Sequence, residues 1–365
     1  MTHPNQTQTG AHHDLYREAG VDTDEAEAGL RKLTRRIAST WPQPGAPFGG
    51  VKLDIGYFAN VIDFGGIGVA ISTDGIGSKA MIAHQMGKYD TVGIDCVAMN
   101  VNDIICVGAR PVSMVDYLAI DKVEAGILDQ ISVGLCEGAR QAGVSISGGE
   151  TAQLKGMIHG FDLAGTAIGY VALDKILVGQ GVEDGDVVIG VESNGIHSNG
   201  LTLARRTFFE TNSFALSHRF DDLGGTLGEE LLRPTHIYVR EAMRAIEEVG
   251  SLKALAHITS DGFLNLTRVK RDVSYVLDAL PAVPPIFQLI ERLGQVDTTE
   301  MFSVFNMGVG FCAVVAREDA DAALAALGSG GRRAHRIGHV EADGKRQVSL
   351  PQFGLLGQGK HFQRV

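Results

Sequence analysis

The 365 residues are 44% hydrophobic and 21% charged, a globular balance that excludes disordered and collagen-like chains. Asp and Glu outnumber Lys and Arg 43 to 32, for a net charge of −11. That argues against a general nucleic-acid binder but leaves phosphorylated small molecules open, because metal ions and helix N-termini hold phosphate without a basic domain.

No apolar run reaches about 18 residues, so no membrane span is expected. The polar start MTHPNQTQTGAHHD lacks the apolar stretch of a secretion signal. The expectation is a soluble, cytoplasmic protein with a disordered tail over 1–13. Cys96, Cys106, Cys136 and Cys312 form no CxxC pair, and three of them lie in apolar segments, which speaks against a disulfide framework or a zinc site. There are 47 Gly against 10 Pro, so many tight turns and close backbone approaches are expected.

In chain order, residues 14–40 suit a surface helix, ended by WPQPGAPFGG. Ile67–Ser72 is a short strand running into the turn Thr73–Lys79. Thr91–Val107 is a mostly apolar helix, Val112–Ile120 a strand, and Ala125–Ala142 a helix. Val144–Ile146 is a short strand entering a turn at Gly148-Gly149-Glu150-Thr151, and Leu163–Val171 is a strand. Glycines at 179, 181 and 185 mark a domain boundary within 174–186. Beyond it come a strand (Val187–Val191), a Gly/Asn turn (Glu192–Gly200) and helices at Leu201–Glu210 and Thr235–Val249. Another polar turn follows at Thr259–Gly262, then a helix (Ile286–Leu293), a strand (Val309–Val315) and a helix (Asp319–Leu327). Strands alternate with helices in both halves, which argues α+β or α/β architecture twice. Pro351–Val365 lacks periodicity and is expected to be a loose tail.

Five segments can carry chemistry. Asp74 opens a Gly-punctuated loop after an apolar strand, with Lys79 five residues on; it suits Mg²⁺ bound to a nucleotide, or equally a solvated turn. On the apolar helix, Thr91, Asp95 and Asn102 fall on one stripe with Asp103 at its flank. A buried acidic stripe is costly unless it is paired or metal-bound. Gly148, Gly149, Glu150 and Thr151 can turn N–H groups and a carboxylate toward a nucleotide. Ser193-Asn194-Gly195-Ile196-His197-Ser198-Asn199-Gly200 precedes a helix and suits an anion, although Ser198 or Asn199 can equally be a cap. A capping loop has no need of His197. Asn306 begins a Gly bend into a strand, and His257 is either a site residue or a satisfied core histidine.

AGVD (19–22), TDGIGSK (73–79), DTVGIDCVAMNVNDI (90–104), GARP (108–111), SGGETA (147–152), GIHSNG (195–200), LLRPTHIYV (231–239), AHIT (256–259), EM (300–301) and FNMGVG (305–310) occur in this order. Together they resemble the phosphoribosylformylglycinamidine cyclo-ligase family, over roughly 14–341. The resemblance implies an N-terminal ATP-binding α+β domain (14–174), whose sheet pairs with that of a second subunit in a barrel-like homodimer core, and a C-terminal α/β domain (175–349), followed by the tail 350–365. It implies ATP-dependent closure of formylglycinamidine ribonucleotide to aminoimidazole ribonucleotide, with ADP and phosphate released. The amide oxygen is phosphorylated and the amidine nitrogen attacks.

By matching motif, Asp74 and Asp103 are implied as metal and catalytic carboxylates, with Lys79 and His197 as further catalytic groups. Gly75, Gly77, Asn102, Gly148, Gly149, Glu150 and Thr151 are implied at ATP. Ser193, Asn194, Gly195, Ser198, Asn199, Gly200 and Asn306 are implied at the phosphoribosyl substrate. ATP and Mg²⁺ are the expected cofactors; no nucleic acid or membrane partner is expected. The chain departs from the family at Ser260-Asp261-Gly262, which replaces a Gly-rich run, and at Thr34, which replaces a lysine. These departures keep a second reading open: a catalytically idle nucleotide-binding homologue, or another ATP-dependent enzyme of the superfamily.

Overall fold

The computed structural model describes residues 23–42, 46 and 48–365; the expected tail over 1–13 and the motif at 19–22 lie outside them. After helix α1 (Thr23–Ala38), the first half contains β1 (Phe48–Val51), β2 (Asn60–Phe64), β3 (Ile67–Gly75), α2 (Lys79–Met86), α3 (Val92–Cys106), β4 (Arg110–Ile120), α4 (Ala125–Ala142), β5 (Ser145–Gln153) and β6 (Phe161–Ala172). The strands form one sheet in the order β1-β2-β3-β6-β4-β5, with only β4 and β5 parallel.

The pleat of β6 divides the sheet's two faces. Phe161, Leu163, Gly165, Ala167, Gly169 and Val171 are buried, whereas Ile168 and Tyr170 point outward and are exposed. The inner face packs on α3, where only Ile94 and Asp103 escape full burial. α4 packs on the far side of α3, with the closest approach at Gly93 and Gly134. A Cβ on Gly93 would lie 2.1 Å from the Leu135 nitrogen. Gly93→Ala is therefore expected to force two helix backbones apart and cost about 1–3 kcal/mol. Gly126→Ala, with open space around it on the same helix pair, should be neutral or slightly stabilising; urea midpoints of the two variants compare them.

The second half contains β7 (Val187–Glu192), α5 (Leu201–Arg205), α6 (Leu227–Leu231), α7 (Val239–Glu248), β8 (Leu252–His257), β9 (Ser274–Val276), α8 (Pro285–Gly294), α9 (Thr298–Val304), β10 (Val309–Val315), α10 (Ala320–Leu327), β11 (Ala334–Glu341), β12 (Gln347–Leu350), β13 (Leu355–Gln358) and β14 (His361–Arg364). Its sheet runs β14-β13-β12-β9-β11-β7-β10-β8 and is antiparallel except where β12 meets β9. β10 is buried at every position.

Three expectations are corrected here. The stretch expected as a loose tail is a paired hairpin, β13 with β14. Phe362 is buried against Phe302, and its N–H is held by the Ser303 hydroxyl. The apolar alternation is blank there because the inward position 357 is a glycine, where any Cβ would strike Phe362 and Leu264. The segment expected to turn at Gly148–Thr151 is strand β5, continued straight by parallel pairing with Val115–Leu118. The helix expected from Thr235 begins at Val239 instead. The N–H groups of Thr235 and Tyr238 are taken by Asp95 and Asn102 of the first half, which holds 235–238 out of the helix.

No helix among the described residues is long and apolar enough to cross a membrane.

Candidate functional site

Asp74 is the last residue but one of β3 and points to the inner face, opposite Gly165 of β6. The missing side chain at 165 leaves room there: a Cβ would come within 2.9 Å of Asn100 Nδ2. Asn100, fully buried on α3, brackets Asp74 by accepting from its N–H (3.0 Å) and donating to its carbonyl (3.1 Å). The Asp74 carboxylate accepts the Gly75 N–H at 2.7 Å. Burial nonetheless raises its pKa to about 6, with the charge of Asp103 adding to the rise and His257 opposing it.

Asp103 leaves the flank of α3 toward the second half, where its Oδ1 accepts from His257 Nδ1 at 2.9 Å. His257 Nε2 lies 3.5 Å from Asn102 Nδ2, so an Nδ1–H tautomer satisfies both contacts. The motifs around 74, 103 and 257, distant in the chain, thus meet at the seam between the halves. His257 was left open in the sequence between site residue and core histidine; the structure bonds it, fully buried, to Asp103. The only advance signal was its position just ahead of a polar turn.

A second cluster lies deeper in the same seam. Lys79 and Asp95 are both fully buried and pair at 2.7 Å. The same Asp95 oxygen accepts from the Thr235 N–H (2.7 Å), the Thr235 hydroxyl (2.6 Å) and the Ser198 hydroxyl (3.2 Å). Lys79 also donates to the Arg233 carbonyl at 2.7 Å. Lys79, implied as a phosphate-facing group, is therefore committed inside the protein. Burial pulls its pKa down, against the Asp95 charge that supports it. Asn102, implied at ATP, is likewise spent: it donates to the His236 carbonyl and accepts from the Tyr238 N–H, both at 2.9 Å.

The loop 193–200 is fastened from both sides. Asn306 donates to the carbonyls of Gly195 (3.0 Å) and Ile196 (3.1 Å), while its oxygen accepts from the Ser193 hydroxyl and the Gly308 N–H (both 2.9 Å). Ser193 and Asn306 thus shape the loop with the groups expected to touch substrate. Gly200 has φ +86°, and a Cβ there would overlap the Phe305 ring. Gly77 faces the Ser198 carbonyl, so the Asp74 loop and this loop are neighbours. Gly195 is buried, and Asn194 and Asn199 are half-buried.

His197 is held at φ +66° beneath the loop, beside Tyr238 and Gly310. Burial, then the nearby charges of His257, Lys79, His236 and Arg332, push its pKa well below the usual value. Its Nδ1 is buried without a partner. It is a neutral imidazole within the loop, able to donate a hydrogen bond through its N–H.

Gly148, Gly149, Glu150 and Thr151 lie on exposed edge strand β5. Glu150 is in register with Tyr117, on the outer face of the sheet, so the structure does not bring it to the Asp74 side. Gly149 instead falls in one row with Asp116, Gly165 and Asp74. Burial raises the pKa of Asp116. Asp261, which departs from the family pattern, has φ +71° and lies 3.6 Å from Arg268, so its charge is countered locally.

The fold defines a class: two-domain proteins, each half built on a mixed sheet, with Asp103 and His257 meeting at the seam between the halves. The chain belongs to the AIR synthase related family, whose N-terminal domain model matches residues 57–171 and whose C-terminal domain model matches 183–350. It is similar to "Phosphoribosylformylglycinamidine cyclo-ligase" of Methanothermobacter thermautotrophicus, 50% identical over 325 residues, covering 89% of this chain and 94% of the relative. The protein of the same name from Methanocaldococcus jannaschii is 45% identical over 307 residues, covering 84% and 86%. Among solved structures, hydrogenase maturation protein HypE in complex with ATP shares the fold at TM-score 0.56 and 22% identity, over 77% of this chain and 80% of that one. T. maritima PurL complexed with ADP does so at 0.55 and 16%, over 82% and 44%.

Proposed function

We propose that the protein closes formylglycinamidine ribonucleotide to aminoimidazole ribonucleotide at the expense of ATP, releasing ADP and phosphate. What carries this reading is the meeting of Asp74, Asp103 and loop 193–200 at one seam, in a chain half identical over nearly its whole length to a relative of that name. An amide oxygen leaves poorly as hydroxide and well as phosphate. The site must therefore stabilise a transferring phosphoryl group and position the amidine nitrogen for attack.

The chain's residues divide this work. Asn100 and the Gly75 N–H fix Asp74. His257 orients Asp103. Asn306 and Asp95 hold the loop against the first domain. Asp74 and Asp103 suit a magnesium ion: they are two partly desolvated acids whose like charge already raises one pKa. Two carboxylates do not fill a magnesium shell, so phosphate oxygens and water would complete it. Bound there, magnesium would neutralise charge on the triphosphate. The test is to supply ATP, Mg²⁺ and formylglycinamidine ribonucleotide and follow aminoimidazole ribonucleotide by its diazo colour. ATP binding without product supports the idle-homologue reading instead.

The outer face of the first sheet supports a homodimer. Ile71, Val115, Tyr117, Ile168 and Tyr170 are each 38–50% exposed on one contiguous face, more apolar surface than a solvated sheet face carries. A second copy of that face would cover it. Sedimentation at micromolar concentration is expected to show a dimer, and Ile71→Glu/Ile168→Glu a monomer. A wild-type monomer contradicts this assembly.

A further inference from the structure

A cavity of about 240 Å³ opens beside the loop, lined by Ser193, Asn194, Gly195, Gly224, Arg233 and Arg332, with Asp222 and Glu230 also on its wall. It is smaller than the roughly 300–1,000 Å³ that encloses a whole ligand, so it holds one end of a molecule. The charges on its wall are not evenly matched. Glu230 is bonded to Arg233, and Asp222 lies 3.9 Å from Arg292. Arg332 is half-buried and makes no hydrogen bond or ion pair among the described residues. Next to it, Asn194 Oδ1 is buried without a partner among the described residues, while the Asn194 amide nitrogen donates to the Pro234 carbonyl at 2.7 Å. A surplus guanidinium and an idle acceptor share one cavity.

We propose that Arg332 is the anchor for a phosphomonoester, with Asn194 Oδ1 accepting a neighbouring sugar hydroxyl. A planar guanidinium binds two phosphate oxygens at once, and a ribose 5-phosphate end supplies both the dianion and the hydroxyl. The position suits the seam. Arg332 and His257 both act electrostatically on His197, so the cavity and the Asp103–His257 pair both lie near that loop residue. A ligand anchored by phosphate at Arg332 extends over the loop toward Asp74 and Asp103. This assignment rests on the cyclisation reading for the identity of the rest of the molecule, but not for the phosphate.

The test uses the full-length protein and Arg332→Gln, a change in a partly exposed side chain that breaks no internal bond. Calorimetric titration with ribose 5-phosphate and with ribose is expected to show binding of the phosphate ester alone, weakened about 10- to 100-fold in the variant. Arg332→Lys should recover part of the loss. In turnover, the KM for formylglycinamidine ribonucleotide should rise by a similar factor, with kcat and the KM for ATP within about twofold of wild type. Unchanged ribose 5-phosphate affinity in Arg332→Gln overturns the proposal, as does a rise confined to the KM for ATP. If the wild type makes no product yet binds ribose 5-phosphate through Arg332, the cyclisation reading falls and the anchor stands.

Discussion

Asp74→Asn is expected to abolish ring closure while making the folded protein more stable at neutral pH. The Asp74 pKa, about 6 in the folded state against 3.8 for an unperturbed aspartate, is raised, so folding favours the protonated form. That contribution is complete below the unfolded value and is lost as pH rises through about 6. Above that, the wild type carries a buried charge costing about 3 kcal/mol. Asn keeps the Gly75 contact and stays neutral at every pH. Calorimetry should therefore show the variant's melting temperature above that of the wild type at pH 8, with the gap closing below about pH 4. In the metal-free protein, magnesium affinity should fall as pH drops through about 6, where the proton competes with the ion for Asp74. Magnesium should raise the melting temperature of the wild type at pH 8 and leave Asp74→Asn unmoved. Asp103→Asn should also be inactive, but without the stability gain, because it weakens the bond to His257. Near-normal turnover in both variants would remove these carboxylates from the chemistry.

The Lys79–Asp95 pair gives the second large effect. Lys79→Met leaves a fully buried carboxylate without its cation, and such broken pairs cost about 3–5 kcal/mol. Replacing both partners, as Lys79→Met/Asp95→Leu, removes the stranded charge, and urea denaturation should show part of the stability recovered. Turnover should stay low, because the Thr235 N–H and the hydroxyls of Thr235 and Ser198 have then lost their common acceptor. The loop 193–200 is no longer held to α3. A double variant with restored stability and restored turnover would mean that the pair only supports the fold.

Much of the architecture was legible in the chain. The apolar run 91–107 reads as a buried helix because its polar residues are few and fall on a stripe. Two residues of that stripe, Asp95 and Asn102, are indeed fully buried and paired. The weak alternation at 163–171 and the apolar run at 309–315 also read as strands, and both are strands in the fold. Gly148–Thr151 misled because two glycines signal a turn locally, and only the parallel neighbour β4 keeps the backbone extended. The start of α7 was hidden for the same kind of reason: acceptors more than 130 residues away in sequence, Asp95 and Asn102, take N–H groups that a helix would otherwise leave to water.

Residue type and spacing by themselves determined the α/β and α+β architecture and the candidate carboxylates and loop, and the order of the motifs carried the resemblance to a family. Those properties depend on local apolar period, turn chemistry and motif order, all of which are written along the chain. Tertiary structure alone decided which polar groups remain available. It spent Lys79, Asn102, Ser193 and Asn306 on internal bonds, brought His257 to Asp103, and left Arg332 without a hydrogen-bond or ion-pair partner among the described residues. Whether a side chain faces a ligand or another residue depends on what the opposite domain places within about 3 Å of it, and no stretch of sequence carries that distance.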